Sequence, residues 1–333
     1  MTPCRHFSMI PLRDMLETVK SINKSRLNKI IENDFIMQFK NILIISDIEG
    51  SSGCWSYSDS SFMTRGWRRA CIGMTKDVGS LVAGLFDAGV QRVSVHDFHR
   101  TGYNILPERI APRAKVISGY RLGPVPGIGD PRGAEAVMFL GMHAASGTQG
   151  FLAHTFTSRI RRLEVNGKPM PEVEFFAASL APYGLRPIFF SGCPVACAQA
   201  RTAIPGIHIF PIDKTAGPDN FDAESWRLDL ATAAVKSLGN KSIMPYTPQG
   251  PFRAKATMRD GPKIARKLAQ RWGFRHEGDR IYIDTPDIHA LYQNFIRLCY
   301  LTPRIEKIIP AGLFLYNLLG RWGLARVRLS LYF

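Results

Sequence analysis

Between residues 40 and 300 the apolar positions come in short runs that end on polar, chemically capable side chains. Ile42, Leu43, Ile44 and Ile45 run into Ser46 and Asp47, Val93 and Val95 lead to His96, Asp97 and His99, and residues 137–140 lead to Met142 and His143. Runs of this length read as buried strands, with the polar residues emerging where each strand meets its following loop. The pattern predicts strands over 42–45, 92–95, 115–117 and 136–140, and a helix over 65–88 that closes at Gly89. A helix over 171–183 and strands over 187–190 and 207–212 continue it. Alternation of this kind implies an α/β fold with a doubly wound, mainly parallel sheet flanked by helices. Pro124, Pro126, Gly127, Gly129, Pro131 and Gly133 punctuate one stretch too densely for regular structure.

A Pro- and Gly-rich link at 245–251 separates this main unit, 38–245, from a smaller α+β unit at 246–301. The smaller unit is expected to hold strands over 252–258 and 280–284 and helices over 262–272 and 286–301. Residues 1–37 read as an N-terminal extension, with Leu12, Met15, Leu16, Val19 and Ile22 at helical spacing, and Met37 is a candidate start codon. Residues 302–333 form a basic amphipathic C-terminal extension. There Leu313, Phe314, Leu315, Leu318 and Leu319 sit among Arg304, Lys307, Arg321, Arg326 and Arg328. This segment is too short and too proline-broken to span a bilayer. It is expected either to pack against a neighbouring subunit or to lie on an anionic membrane face.

Of the 333 residues, 45% are hydrophobic and 21% charged. That is the balance of a soluble globular chain. The net charge, however, is +16. Such a surplus suits nucleic acid, an anionic membrane face or anionic substrates. No nucleic-acid motif accompanies it, so no nucleic-acid partner is expected. Much of the charge, at Arg65, Arg68, Arg69 and residues 159–162, lies away from the polar strand ends and reads as solvated surface. The six cysteines are scattered with no CxxC pair. This points to reduced thiols and a cytoplasmic protein, membrane-peripheral if the tail binds lipid. Cys193 and Cys197 are four apart, but Pro194 between them marks a helix start.

Five residues could bind a divalent metal at or near the predicted strand ends: Asp47, Glu49, His99, His143 and, further on, Glu172. Each alone reads as a helix cap or a loop residue, and the joint pattern is what points to a site. Open α/β sheets collect ligands outside the carboxyl ends of their strands. Oxygen and imidazole donors without thiolates suit Zn²⁺, Mn²⁺ or Co²⁺ in a catalytic setting.

These residues belong to an ordered series: Ser46-Asp47-Ile48-Glu49-Gly50-Ser51-Ser52-Gly53, His96-Asp97-Phe98-His99, Gly141-Met142-His143-Ala144, Ala153-His154-Thr155, and Asn166-Gly167-Lys168-Pro169-Met170-Pro171-Glu172. Arg65-Gly66, Met74-Thr75, Ile117-Ser118-Gly119 and Arg132-Gly133-Ala134 fit as well. Over roughly residues 38–301 the chain resembles the D-aminopeptidase family of self-compartmentalising zinc peptidases, the type associated with dipeptide-transport operons. The resemblance implies a metallo-aminopeptidase that cleaves N-terminal amino acids from short peptides or amides, with preference for the D configuration left open. It implies two Zn²⁺ per subunit, or Mn²⁺ or Co²⁺ in their place, held by Asp47, Glu49, His99, His143 and Glu172. His154 is then catalytic, and the chain forms a ring-like homo-oligomer around an inner chamber. Paired metals can hold a hydroxide while polarising a carbonyl, and Asp47, the first carboxylate after its strand, is the natural bridge.

Two departures from the family pattern stand out. Gly192-Cys193-Pro194 replaces residues that are usually acidic, and Lys76 replaces an acid after Met74-Thr75, which weakens recognition of a substrate ammonium. His96 reads equally as an outer partner of the metal ligands or as an exposed turn residue. Two other readings stay open: a non-catalytic scaffold with the same fold, and a phosphoesterase-like relative on the same metal scaffold. His154 and the 166–172 element favour the peptidase.

Overall fold

The computed structural model describes residues 37–131 and 133–331, so the helical pattern expected near residues 12–31 lies outside the described residues. In chain order the elements are β1 (Asn41–Ser46), α1 (Tyr57–Ser60), α2 (Arg65–Asp87), β2 (Arg92–Asp97), β3 (Lys115–Ile117) and β4 (Ala136–Met142). There follow β5 (Ile160–Val165), β6 (Lys168–Pro169), α3 (Glu172–Leu180), β7 (Arg186–Gly192), α4 (Pro194–Ala203), β8 (His208–Pro211) and α5 (Ala223–Ser237). The last are β9 (Phe252–Met258), α6 (Pro262–Trp272), β10 (Arg275–Glu277), β11 (Arg280–Thr285), α7 (Ile288–Tyr300), α8 (Pro303–Lys307) and α9 (Ile309–Leu329).

Six strands pair in parallel in the order β3-β2-β1-β4-β7-β8. Strand order therefore reverses between β1 and β4, and the crevice outside their carboxyl ends is the natural ligand site of such a sheet. The strands read as apolar runs because both faces are covered: Ile42, Leu43, Ile44 and Ile45 are all buried. Helix α2 starts where Thr64 Oγ1 accepts from Trp67 N at 2.9 Å. It buries Trp67, Met74, Val78, Leu81, Val82 and Leu85.

A second, antiparallel sheet runs β10-β11-β9-β5-β6, so residues 160–169 join strands that follow residue 251. The strand pattern of β5 is hidden by its arginines, which read as solvated surface in the sequence. In the fold these basic residues are paired: Arg159 with Asp260 at 2.5 Å, Arg161 with Asp279 at 2.9 Å and Arg162 with Glu164 at 2.9 Å. Helix α5 is equally hidden, since its buried positions include the small Ala231, Ala233 and Ala234, and it packs where Gly84 of α2 meets Ala231. Helices α3 and α7 lock the two sheets together through Phe175, Phe176, Tyr292 and Phe295, with Phe156 stacked on Phe295 at 5.5 Å.

One buried ion pair ties α5 to α2, and a hydrogen bond to Ser52 extends it to the loop after β1. Arg227 Nε donates to Asp77 Oδ1 at 2.8 Å, and its NH2 group donates to Ser52 Oγ at 2.7 Å. Removing one partner of a buried pair strands the other charge, at a cost of about 3–5 kcal/mol. Arg227→Met should therefore lower unfolding free energy by about 3 kcal/mol in urea denaturation. Lys76→Met breaks only an exposed 3.4 Å pair with Glu224. It should change that free energy by less than about 1 kcal/mol.

Candidate metal centre

The chain leaves β1 through a backbone crossing. Asp47 N donates to Leu140 O at 2.8 Å and Gly50 N to Gly141 O at 2.6 Å. A Cβ on Gly50 would lie 2.6 Å from the Gly141 and Met142 carbonyl oxygens, so only glycine lets the loop pass this close to β4. Asp47 Oδ1 accepts from Glu49 N at 3.2 Å, which turns both carboxylates to the same side. The loop is then held by Ser52, whose N and Oγ donate to Asp77 at 2.7 and 2.6 Å, and by Lys214 Nζ, which donates to the Ser51 and Cys54 carbonyls.

His99 follows β2 in a turn built on Asp97. The Asp97 carboxylate accepts from Asn104 N at 2.5 Å, Asn104 Nδ2 at 2.7 Å and Ile105 N at 2.8 Å. Asn104 Nδ2 also donates to His99 O at 2.8 Å, while Trp67 Nε1 donates to Asn104 Oδ1 at 2.9 Å. His143 follows β4 and keeps Nδ1 3.2 Å from Ala144 O. That contact leaves Nε2 facing the carboxylates. Glu172 opens α3, and its Oε1 accepts from Phe156 N at 2.5 Å. The Asn166-Gly167 pair sits at φ 51° and 80° in the β5–β6 hairpin. Positive φ at both central residues is what a two-residue hairpin turn of this kind requires. Asn166 also bonds across to β9, accepting from Arg253 N at 2.8 Å and donating to Pro251 O at 3.1 Å.

These turns converge. His143 Nε2 lies 3.6 Å from Asp47 Oδ2, 3.5 Å from Glu49 Oε2 and 3.6 Å from Glu172 Oε1. His99 Nε2 is 3.7 Å from Glu49 Oε1. His154 stacks on His143 with ring centroids 3.9 Å apart, places Nε2 3.4 Å from Glu49 Oε2 and holds Nδ1 2.7 Å from Leu152 O. Three overlapping donor groups have ligand atoms within 4.8 Å of one another: Asp47/Glu49/His99, Asp47/His143/Glu172 and Glu49/His143/His154.

The electrostatics are those of a buried, charge-dense pocket. Burial, aided by neighbouring Glu49, pushes the Asp47 carboxyl up to about 7. Burial also pushes Glu49 up, but the imidazoles of His154, His99 and His143 outweigh it and hold that carboxyl well below its usual range. For His143 burial favours the neutral ring, yet Glu172, Glu49 and Asp47 outweigh it and raise it. His154 is lowered by burial and by neighbouring His143. Glu49 Oε2 is buried and takes no hydrogen bond, and three carboxylates share the pocket. An oxygen and imidazole donor set with an unsatisfied anionic oxygen fits a divalent cation.

All six residues singled out in the sequence thus meet at the switch point of the sheet. Two side chains fall elsewhere. His96 is no exposed turn residue: it is fully buried in β2, its ring 5.6 Å from Phe98, because the strand extends beyond the apolar run. Lys76 lies on the exposed side of α2, and the buried acid there is its neighbour Asp77. Cys193 caps α4, with Sγ accepting from Ala196 N at 3.5 Å. Sequence reasoning missed the supports at Asn104 and Arg227, which lie in stretches without periodicity or motif; Asp97 was visible beside His99 but had no assigned role.

The sequence model of the D-aminopeptidase family matches residues 40–296, and the chain belongs to that family. A D-aminopeptidase of Bacillus subtilis (strain 168) is 28% identical over 212 residues, covering 61% of this chain and 75% of that protein. The solved structure of a zinc-dependent D-aminopeptidase from Bacillus subtilis, a self-compartmentalizing protease, has the same fold. It superposes with a TM-score of 0.67 at 22% identity, over 77% of this chain and 96% of that one.

The Asp97–Asn104 network orients His99 without facing the pocket. Asn104→Ala should weaken divalent-metal affinity by about 10–100-fold, the usual effect of removing an outer partner of a ligand. Chelator-competition titration measures this, with circular dichroism to check that the fold is kept. Unchanged affinity would remove Asn104 from the support of the site.

Proposed function

We propose that this chain is a metal-dependent aminopeptidase that removes N-terminal amino acids, with D-amino acids as the first candidates, from short peptides or amides. The observation that carries it is the convergence of Asp47, Glu49, His99, His143, Glu172 and His154 at the β1/β4 switch point, inside the family-matched region. Five of them would hold the metal, with zinc favoured by the zinc dependence of the related Bacillus subtilis enzyme. The groups Asp47/Glu49/His99 and Asp47/His143/Glu172 share Asp47, which supports two ions per subunit with that carboxylate between them. Bound there, zinc would supply Lewis-acid polarisation of a carbonyl and a more acidic water.

His154 has the geometry of a proton carrier. Donation from Nδ1 to Leu152 O leaves Nε2 as the basic nitrogen, turned into the pocket beside Glu49. Its ring is held in the neutral form by burial and by His143, so Nε2 can take a proton and pass it to a leaving amine. Gly192, Cys193 and Pro194 offer no carboxylate to a substrate ammonium. The reading includes a ring-like homo-oligomer, in line with the self-compartmentalizing relative, and a cytoplasmic setting, in line with free thiols at Cys54, Cys71, Cys193, Cys197 and Cys299.

Metal analysis of the purified protein should find about two divalent ions per chain, and chelation should abolish hydrolysis in a screen of D- and L-aminoacyl amides. No hydrolysis in either series by the metal-loaded protein would overturn the assignment. Asp47→Ala should remove most of the bound metal, and near-full occupancy in that variant would exclude Asp47 as the shared ligand.

His154→Ala should retain the metal while kcat falls about 10²–10⁴-fold, the scale of a general acid–base group. Loss of metal instead would make His154 a ligand through its grouping with Glu49 and His143.

A further inference from the structure

Helix α9 lies wholly beyond residue 296, where the family match ends. It is seated on its own chain by a face of small residues. Gly320 meets Tyr103 and Thr101, Gly323 meets Phe62 and Trp67, and Leu324 and Val327 are buried beside them. Tyr316 stacks parallel to Tyr120 at 6.3 Å, and Arg328 donates to both Glu108 oxygens at 2.7 and 3.0 Å. These contacts fix how the helix is rotated about its axis.

The opposite face is apolar and, among the described residues, exposed. Phe314 is 68% exposed, Leu315 64%, Leu318 55%, Trp322 53% and Leu319 43%. At helical spacing these side chains form one outward stripe, with the exposed Arg321 along one margin and Arg326, 5.4 Å from the Trp322 ring, at its C-terminal end. From Lys307 to the end of the chain there is no Asp or Glu. No helix of the described residues is long and apolar enough to cross a membrane, so a bilayer could be met by this helix only in its plane.

Charge decides between the occupants that would cover such a stripe. If two copies paired through this same face, Arg321 and Arg326 would meet their own counterparts with no acid on the helix to neutralise them. Both copies would also carry a net charge of +16. An anionic bilayer offers an apolar bed and negative headgroups in one surface, which is what the stripe and its arginines match. We infer that α9 is an in-plane anchor that seats this protein on anionic lipid membranes.

Sedimentation of the full chain with phosphatidylcholine vesicles, and with vesicles that also contain phosphatidylglycerol, tests this. The protein should partition onto the anionic vesicles, only weakly onto the neutral ones, and less at high salt. The variant L315E/L318E/W322E changes only exposed positions and should lower partitioning by on the order of a hundredfold or more. R321Q/R326Q should lower it by roughly tenfold. Absence of binding to anionic vesicles, or equal binding by the glutamate variant, would overturn the inference. So would a drop in solution mass of that variant, by light scattering, with no vesicle binding by the parent chain; the stripe would then belong to a second copy.

Discussion

The site depends on one steric condition, the passage of the loop after β1 across the end of β4 with backbone against backbone. Gly50 and Gly141 meet there, the latter at φ 75°, and the Gly50 amide donates to the Gly141 carbonyl. Any side chain at either position would push the two strand ends apart. Asp47 and Glu49 then could not approach His143 as they do, at 3.6 and 3.5 Å, and the donor groups would separate. The hydrogen bonds of Asp77, Arg227 and Lys214 to the same loop hold that crossing closed from the other side.

Within the pocket the charges hold one another in place. Three buried carboxylates repel, and burial alone favours their protonated forms. The imidazoles of His99 and His143, themselves raised by the neighbouring carboxylates, supply the attraction that holds Glu49 and Glu172 below their usual range, while Asp47 stays raised. Each of three proposed ligands is also held by a bond from outside the cluster: Glu172 by Phe156 N, His143 by Ala144 O, His99 through Asn104. This is how a polar cluster keeps its shape while its carboxylates and imidazoles face one another.

The parallel sheet could be read from the sequence because its strands are continuous apolar runs, and Asp47, Glu49, His99 and His143 because they stand at or near the ends of those runs. Glu172 opens a helix and was legible only through the family resemblance. The antiparallel sheet was only half legible. Strands β9 and β11 show ordinary strand composition, but β5 carries Arg161 and Glu164, whose partners Asp279 and Lys255 lie far along the chain. No local pattern can register a charge whose neutralising group is that distant. His96 misled for a related reason, since a histidine at a strand end reads as polar whether it faces water or the core. The supports at Asn104 and Arg227 are tertiary in origin and leave no periodic trace.

Strand β5 pairs with β9, Leu163 opposite Ala256, and the Asn166 side chain is tied to the backbone of Pro251 and Arg253. During synthesis this sets an order of assembly. Asp47, Glu49, His99 and His143 emerge from the ribosome with their strands and can take up position as the parallel sheet forms. The hairpin that leads into Glu172 stays without its long-range partner until β9 has been made, and closing so wide a loop is slow. The last of the six clustered residues to be firmly placed is thus set by a strand that contributes none of them, and the cluster stays incomplete until most of the chain has been translated.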